Sequence, residues 1–209
     1  MTDFAPFTLK DPDRAKQVVA LVREACSKVE LYDEEICVLY ELARGLHDDA
    51  EIDGYCVDLG TFRGGSAAAM ALGVRDGGQT APVQTVDPYA EPCPRKHDPQ
   101  RYNYAEARET FMRLGVEDYV YQHITRSDMF FTTWRCLVRV AFIDTSHSYE
   151  DTQEEIEEAC LGLEFGGWIV FHDYSETYPG VRYAVDEFVD LAAHDLYRVG
   201  DKSMVVLRV

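Results

Sequence analysis

The sequence predicts a doubly wound α/β sandwich: a parallel sheet with helices on both faces, closed by an antiparallel C-terminal hairpin. Three observations carry this. Short apolar runs with an acid at or near their ends, residues 55–59, 82–87, 138–144 and 168–173, alternate with segments whose apolar residues recur at helical spacing. The first run turns through glycines straight into a small-residue helix, Asp58-Leu-Gly-Thr-Phe-Arg-Gly-Gly-Ser-Ala-Ala-Ala69. The last two runs, 196–199 and 204–207, flank Gly200-Asp-Lys-Ser203 as the arms of a hairpin would.

Composition sets the bounds. A chain of 209 residues that is 46% hydrophobic suits one domain with a full core. Residues 1–50 read as a helical cover and 51–209 as the sheet domain it belongs to. No run is long and apolar enough to span a membrane, and Met-Thr-Asp-Phe at the start is no secretion signal, so the expected location is cytoplasmic. Six cysteines without C-x-x-C spacing read as small buried hydrophobes in a reducing compartment. A net charge of −18 excludes broad binding to nucleic acid or an anionic membrane, and the expected acceptor of any chemistry is a small molecule.

Asp11-Pro12 supplies an N-cap and a first-position proline for a helix with Ala15, Val18, Val19 and Val22 on one face. A second helix starts near Asp33, carries Ile36, Leu39, Tyr40 and Ala43, and ends at Gly45. Two such stripes ahead of the sheet predict a cover for one sheet face and a homodimer contact. The first strand, 55–59, then enters the glycine turn at 60–65, which aims backbone N–H groups and a helix N-terminus above the strand end. Gly64 and Gly65 are expected to let a ligand approach the backbone.

The second strand ends in Asp87, where nucleotide-binding α/β folds hold ribose hydroxyls. Residues 88–104 hold four prolines and the cations Arg95, Lys96, His97 and Arg101, a loop suited to a lid, to substrate recognition or to plain solvent exposure. A helix over 104–114 and a strand over 119–124 lead into Thr125-Arg-Ser-Asp128. The strand 138–144 ends in Asp144, and Ser148 with Asp151 caps an acidic helix over 149–161 whose inner stripe is Thr152, Ile156, Ala159 and Leu163. Gly166-Gly167 reads as the end of that unit, followed by a strand at 168–171, His172-Asp173, and a helix opened by Tyr178-Pro179-Gly180.

Phe62 occupies the third position where a dinucleotide fingerprint needs glycine, and no lysine makes a P-loop of this turn. Asp-Leu-Gly-Thr-Phe-Arg-Gly-Gly-Ser instead resembles the first motif of class I S-adenosylmethionine-dependent methyltransferases. Phe-Ile-Asp-Thr-Ser-His-Ser-Tyr-Glu at 142–150, Gly-Gly-Trp-Ile-Val-Phe-His-Asp-Tyr at 166–174 and Pro-Gly-Val-Arg-Tyr-Ala-Val-Asp-Glu-Phe at 179–188 resemble the type 24 family of that class, related to macrocin-type sugar O-methyltransferases. The resemblance implies a Rossmann-like methyltransferase fold and S-adenosyl-L-methionine as cofactor. It implies O-methylation of a small molecule, such as a sugar or natural-product hydroxyl. It places the cofactor on Asp58, Gly60, Thr61, Gly64, Gly65, Ser66 and Asp87, with Ser127 and Asp128 beside the adenine.

Methyl transfer needs donor and acceptor in line and a means to take the acceptor proton. Asp144, His147, His172 and Asp173 are the candidates. Either Asp144, His172 and Asp173 hold a divalent ion, Mg2+ or Mn2+, or His147 or His172 serves as the base. Ser146 and His172 stand where relatives carry acids, and a histidine suits manganese or iron better than magnesium. Two rival readings are an NAD-dependent oxidoreductase on a similar sheet and a non-catalytic binding or dimerisation module.

Overall fold

The protein is described by a computed structural model over residues 4–48, 53–89, 103–192, 195–201 and 203–209. Strands β2 (Tyr55–Leu59), β3 (Val83–Val86), β4 (Val120–His123), β5 (Val138–Ile143) and β6 (Leu163–Phe171) are parallel. β7 (Asp195–Arg198) and β8 (Val205–Arg208) form the terminal hairpin, and β8 closes antiparallel on β6. A two-residue strand, β1 (Ala5–Pro6), adds to β7 at the edge. The order is β1-β7-β8-β6-β5-β2-β3-β4. The chain therefore winds outward from β2 in one direction and from β5 in the other. A crevice opens where those directions part, at the carboxyl ends of β2 and β5.

Alternation along the buried strands divides the core in two. Cys56, Val140 and Phe142 face α1 (Pro12–Ala25), α2 (Asp33–Arg44), α3 (Gly65–Asp76) and α4 (Asn103–Leu114). Val57, Leu59, Ala141 and Ile143 face α5 (Ser127–Thr133), α6 (Tyr149–Gly162) and α7 (Pro179–Ala192). The helix starts follow their signals: Asp11 accepts from the Arg14 N–H at 3.3 Å, and Ser148 accepts from the Asp151 N–H at 3.1 Å. Arg139 on β5, almost wholly buried, donates to the carbonyls of Leu42 at 2.9 Å and Ala43 at 2.7 Å, which ties the last turn of α2 to the sheet.

Three features go beyond the sequence pattern. The strand expected at 168–171 starts at Leu163, because Gly166-Gly167 is taken up inside β6, where the pairing to β5 slips between Val138 and Val140. β1 is too short to leave any periodicity in the sequence. The stripes of α1 and α2 that suggested a homodimer are buried within the chain: Ala15, Val18, Val22, Ile36, Leu39, Tyr40 and Ala43 all belong to the core under α3. Of the proline-rich loop, the basic residues Arg95, Lys96, His97 and Arg101 lie outside the described residues.

The α2–α3 contact gives a test. A Cβ on Gly73 would sit 2.4 Å from the Tyr40 carbonyl oxygen and 2.9 Å from the Arg44 nitrogen. Alanine gains ~1 kcal/mol of helix propensity, but overlap with backbone forces the two helices apart. Gly73→Ala is expected to lower unfolding stability by about 1–3 kcal/mol in denaturant titrations. A raised midpoint would show that the helices can separate without loss.

Candidate active site

The carboxyl ends of the strands face a cleft of about 970 Å³, lined by Gly60, Phe62, Asp87, Ser127, Asp144, His147 and Tyr178 among others. Gly60 closes its floor. Its φ is +93°, and a Cβ there would lie 1.8 Å from the Asp144 carbonyl oxygen. Only glycine allows the ends of β2 and β5 to meet this closely. Gly64 and Gly65 serve packing: a Cβ would meet the Phe111 ring at 2.9 Å and the Val29 side chain at 3.1 Å, respectively. Neither glycine lines the cleft, and Asp58, Thr61 and Ser66 are buried behind the same turn.

Two acids near this turn have different surroundings. Asp58 is fully buried, and neither carboxyl oxygen has a well-directed hydrogen bond. Burial pushes it up to about 7, opposed by the hydroxyls of Ser66 and Thr61. Asp87 faces the cleft. One of its oxygens accepts from the Phe62 N–H at 2.8 Å and the other from the Tyr89 N–H at 2.6 Å. Burial raises its pKa and those two N–H groups oppose the rise. A carboxylate oxygen has two lone pairs, so each keeps one for a hydroxyl in the cleft.

The Ser127-Asp128 pair opens α5. Asp128 accepts from the Met129 N–H at 2.8 Å and pairs with Arg126 at 3.3 Å. The Ser127 hydroxyl donates at 2.5 Å to Glu155, which also accepts from Thr145 Oγ1 at 2.7 Å. Glu155 lies on α6 with 3% of its surface exposed. The inner stripe expected from the sequence left Glu155 out. Glu155 nevertheless falls in the stripe Thr152, Glu155, Ile156 and Ala159, so the spacing held a signal. Burial pushes its carboxyl up to about 7, and the two hydroxyls oppose that.

The second group sits at the ends of β5 and β6. Nε2 of His147 lies 3.1 Å from Asp144 Oδ1 and 3.0 Å from Asp173 Oδ2. Nδ1 of His172 lies 3.5 Å from an oxygen of each of the same two acids, and its Nε2 lies 3.3 Å from Glu35 on α2. Burial alone would raise both aspartates, but the two histidines override it and hold them below the usual carboxylate range. Burial alone would lower His147, but the two carboxylates raise it to about 9. The same balance, with Glu35 added, raises His172 strongly. The atoms of Asp144, His147 and Asp173 that could hold a metal ion lie within 4.8 Å of one another. The trio expected from the sequence had His172 in the place of His147. The structure instead buries His172 behind the aspartates, against Glu35. Glu35 escaped the sequence reading because a glutamate in the first helical turn reads as a local cap. It is one as well, accepting from the Tyr32 N–H at 2.8 Å.

Phe62, Tyr89, His147 and Asp173 all have positive φ, between 50° and 65°. They sit in the turns after β2, β3, β5 and β6. Left-handed backbone at bulky residues costs of order ~1 kcal/mol or more each, and such residues cluster where function fixes the chain.

Residues 57–174, more than half of the chain, match the type 24 family of methyltransferase domains. The chain belongs to this family. Members of the type 24 family are class I S-adenosylmethionine-dependent methyltransferases, and that activity and cofactor class apply here. Solved structures share the fold. PaMTH1 of Podospora anserina, bound to S-adenosylhomocysteine, superposes with a TM-score of 0.67 at 14% identity, over 100% of this chain and 99% of its own. TomG of Streptomyces achromogenes, an O-methyltransferase of tomaymycin synthesis in complex with S-adenosylmethionine, gives 0.64 at 17% identity, over 97% and 92%. The O-methyltransferase NovP gives 0.65 at 17% identity, over 96% and 90%. Among the described residues, no helix is long and apolar enough to cross a membrane.

Asp58 sets a pH dependence. Its folded pKa of about 7 stands above the ordinary 3.8 of an aspartate, so the unfolded chain loses its proton first. Stability from this group is full below about pH 4, falls as pH rises towards about 7, and then stays down. Asp58→Asn removes the titration. The variant is expected to gain on the parent protein across that window, reaching roughly 2–4 kcal/mol by pH 8. A stability difference that is the same at pH 4 and pH 8 would show that Asp58 does not carry the shift.

Proposed function

We propose that the protein is an O-methyltransferase for a small-molecule hydroxyl, and that Asp144, His147 and Asp173 activate the acceptor by holding a divalent cation. The convergence of these three side chains, with Asp144 and His147 on the wall of the cleft, carries this reading. NovP and TomG, both named as O-methyltransferases, support oxygen as the atom methylated. Two carboxylates at adjacent strand ends repel unless a positive charge lies between them. With a pKa of about 9, His147 supplies that charge on the cleft side in the free protein, and the more buried His172 adds to it from behind. At pH 7 only about 1% of His147 is deprotonated, which makes it a poor base for an acceptor hydroxyl.

The donor set fits a cation. Two oxygens and one imidazole nitrogen suit manganese or iron better than magnesium, which favours oxygen alone. A cation held there would lower the pKa of a coordinated hydroxyl. S-adenosylmethionine supplies a methyl group already activated by its sulfonium charge. The chain's part is placement. Asp87, aimed by the Phe62 and Tyr89 N–H groups, accepts from the ribose hydroxyls. The His147 ring packs 4.5 Å from the Tyr178 ring, which limits its swing. Tyr149 and Tyr178 line the acceptor side and offer flat faces to a ring-bearing substrate such as a sugar.

Two outcomes are expected. Removing Asp87 in Asp87→Ala should weaken S-adenosylhomocysteine binding by roughly 10- to 150-fold, the worth of one charge-assisted hydrogen bond. Calorimetry showing unchanged affinity would remove the ribose role. Chelation with EDTA should abolish turnover and added Mn2+ should restore it. EDTA-resistant turnover that rises towards about pH 9 would transfer proton removal to His147.

A further inference from the structure

Glu155 is a buried acid on the cleft wall that the acceptor site does not use. It reaches across from α6 to two different turns. Ser127 follows β4 and Thr145 follows β5, and both line the cleft. Each gives its hydroxyl proton to a different oxygen of the same carboxylate, at 2.5 Å and 2.7 Å. We propose that Glu155 is a positioning residue that turns the Ser127 and Thr145 protons away from the cleft, so that this wall selects the cofactor's nucleobase by its exocyclic amine.

An ionised carboxylate only accepts hydrogen bonds, and a hydroxyl has one proton to give. Above its pKa of about 7 Glu155 is ionised and takes both protons, and the two oxygens then show only lone pairs to the cleft. Such a wall welcomes an N–H donor and repels a carbonyl. Adenine carries an amine where hypoxanthine carries a carbonyl, so the wall distinguishes the two bases by this group. The placement agrees. Ser127 and Phe131 belong to α5, behind the strand next to β3, whose end carries Asp87. A ribose held at Asp87 therefore sets its base towards α5, where the Phe131 ring supplies an apolar face. Glutamine at 155 has almost the same shape but donates from its nitrogen. One of the two hydroxyls must then accept from it and turn its own proton into the cleft.

This inference rests on the cofactor assignment above, and the test separates the two. The full chain is titrated calorimetrically at pH 8 with S-adenosylhomocysteine and with its deaminated analogue S-inosylhomocysteine. The parent protein should prefer the adenosine form by at least about tenfold. Glu155→Gln should keep its cooperative thermal transition and cut that preference by about tenfold or more, chiefly by gaining affinity for the inosine form. Should that variant fail to fold, Ser127→Ala takes its place, and it should narrow the preference by losing affinity for the adenosine form. A folded Glu155→Gln with an unchanged preference, or a Ser127→Ala that keeps it, overturns the inference alone. A parent protein that binds neither ligand overturns the cofactor assignment together with the inference.

Discussion

The repulsion between Asp144 and Asp173 is the constraint around which the active edge is built. The pairing of Ile143 with Phe171 brings the ends of β5 and β6 side by side, so both acids emerge within reach of one small ion. Left alone, two partly buried carboxylates would not both stay charged. The fold supplies two imidazoles, one from the turn after each strand, and then backs the more buried one with Glu35 from α2. The packing of α2 on α3 and the sheet thus reaches the chemistry directly. Helix α2 carries the residue that fixes His172, and Arg139 fixes the last turn of α2 to β5. A shift of α2 would be felt at Asp144 and Asp173 through two short links.

The sheet, its winding and most strand-end acids were legible because each depends on local pattern. Runs of buried apolar residues, a glycine turn and one acid per strand end survive whatever packs against them. Cleft residues on helices were harder to read. Glu35 looks like a cap and Glu155 like one of several solvated glutamates, and their roles come from partners far away in sequence: His172 for one, Ser127 and Thr145 for the other. That His147, and not His172, stands with Asp144 and Asp173 at the open edge has the same origin. Both histidines neighbour a strand-end acid in sequence. Which of them meets both acids at the open edge depends on a backbone turn with φ of +65° at His147, which no side-chain pattern announces. The apolar stripes behind the homodimer expectation were ambiguous for a related reason. A wide apolar stripe is the same whether a partner or the chain's own α3 covers it.

The acids on this edge show why residue type alone does not assign a role. Asp58 and Asp87 end neighbouring strands, and both are desolvated. Asp87 receives two N–H groups and faces the open cleft. Asp58 faces the interior with no directed partner, so its protonation is a matter of stability. Glu155 lies between these cases: it is buried and fully partnered, and its partners rather than itself face the cleft. Local hydrogen-bond supply, more than depth, separates the surroundings of these three acids.

Four bulky residues in left-handed backbone at one sheet edge would be unstable in an isolated loop. They persist here because the turns are tied to the neighbouring strands where they leave the sheet. The Gly60 N–H donates to the Val86 carbonyl at 2.9 Å, the Asp144 N–H to Leu59 at 3.0 Å, and the His172 N–H to Ile143 at 3.1 Å. Each bond stitches one strand end to its neighbour before the chain leaves the sheet. The strain of each turn is therefore borne by the ladder beneath it, with the closest approach reserved for Gly60. The same stitching makes the turns rigid, and rigidity is what donor–acceptor alignment needs. A methyl group must pass in line between two held partners, and a misplacement of about 1 Å costs on the order of a hundredfold in rate. The strained backbone and the close strand ends are thus two consequences of one requirement, that the edge present its acids and N–H groups in fixed positions.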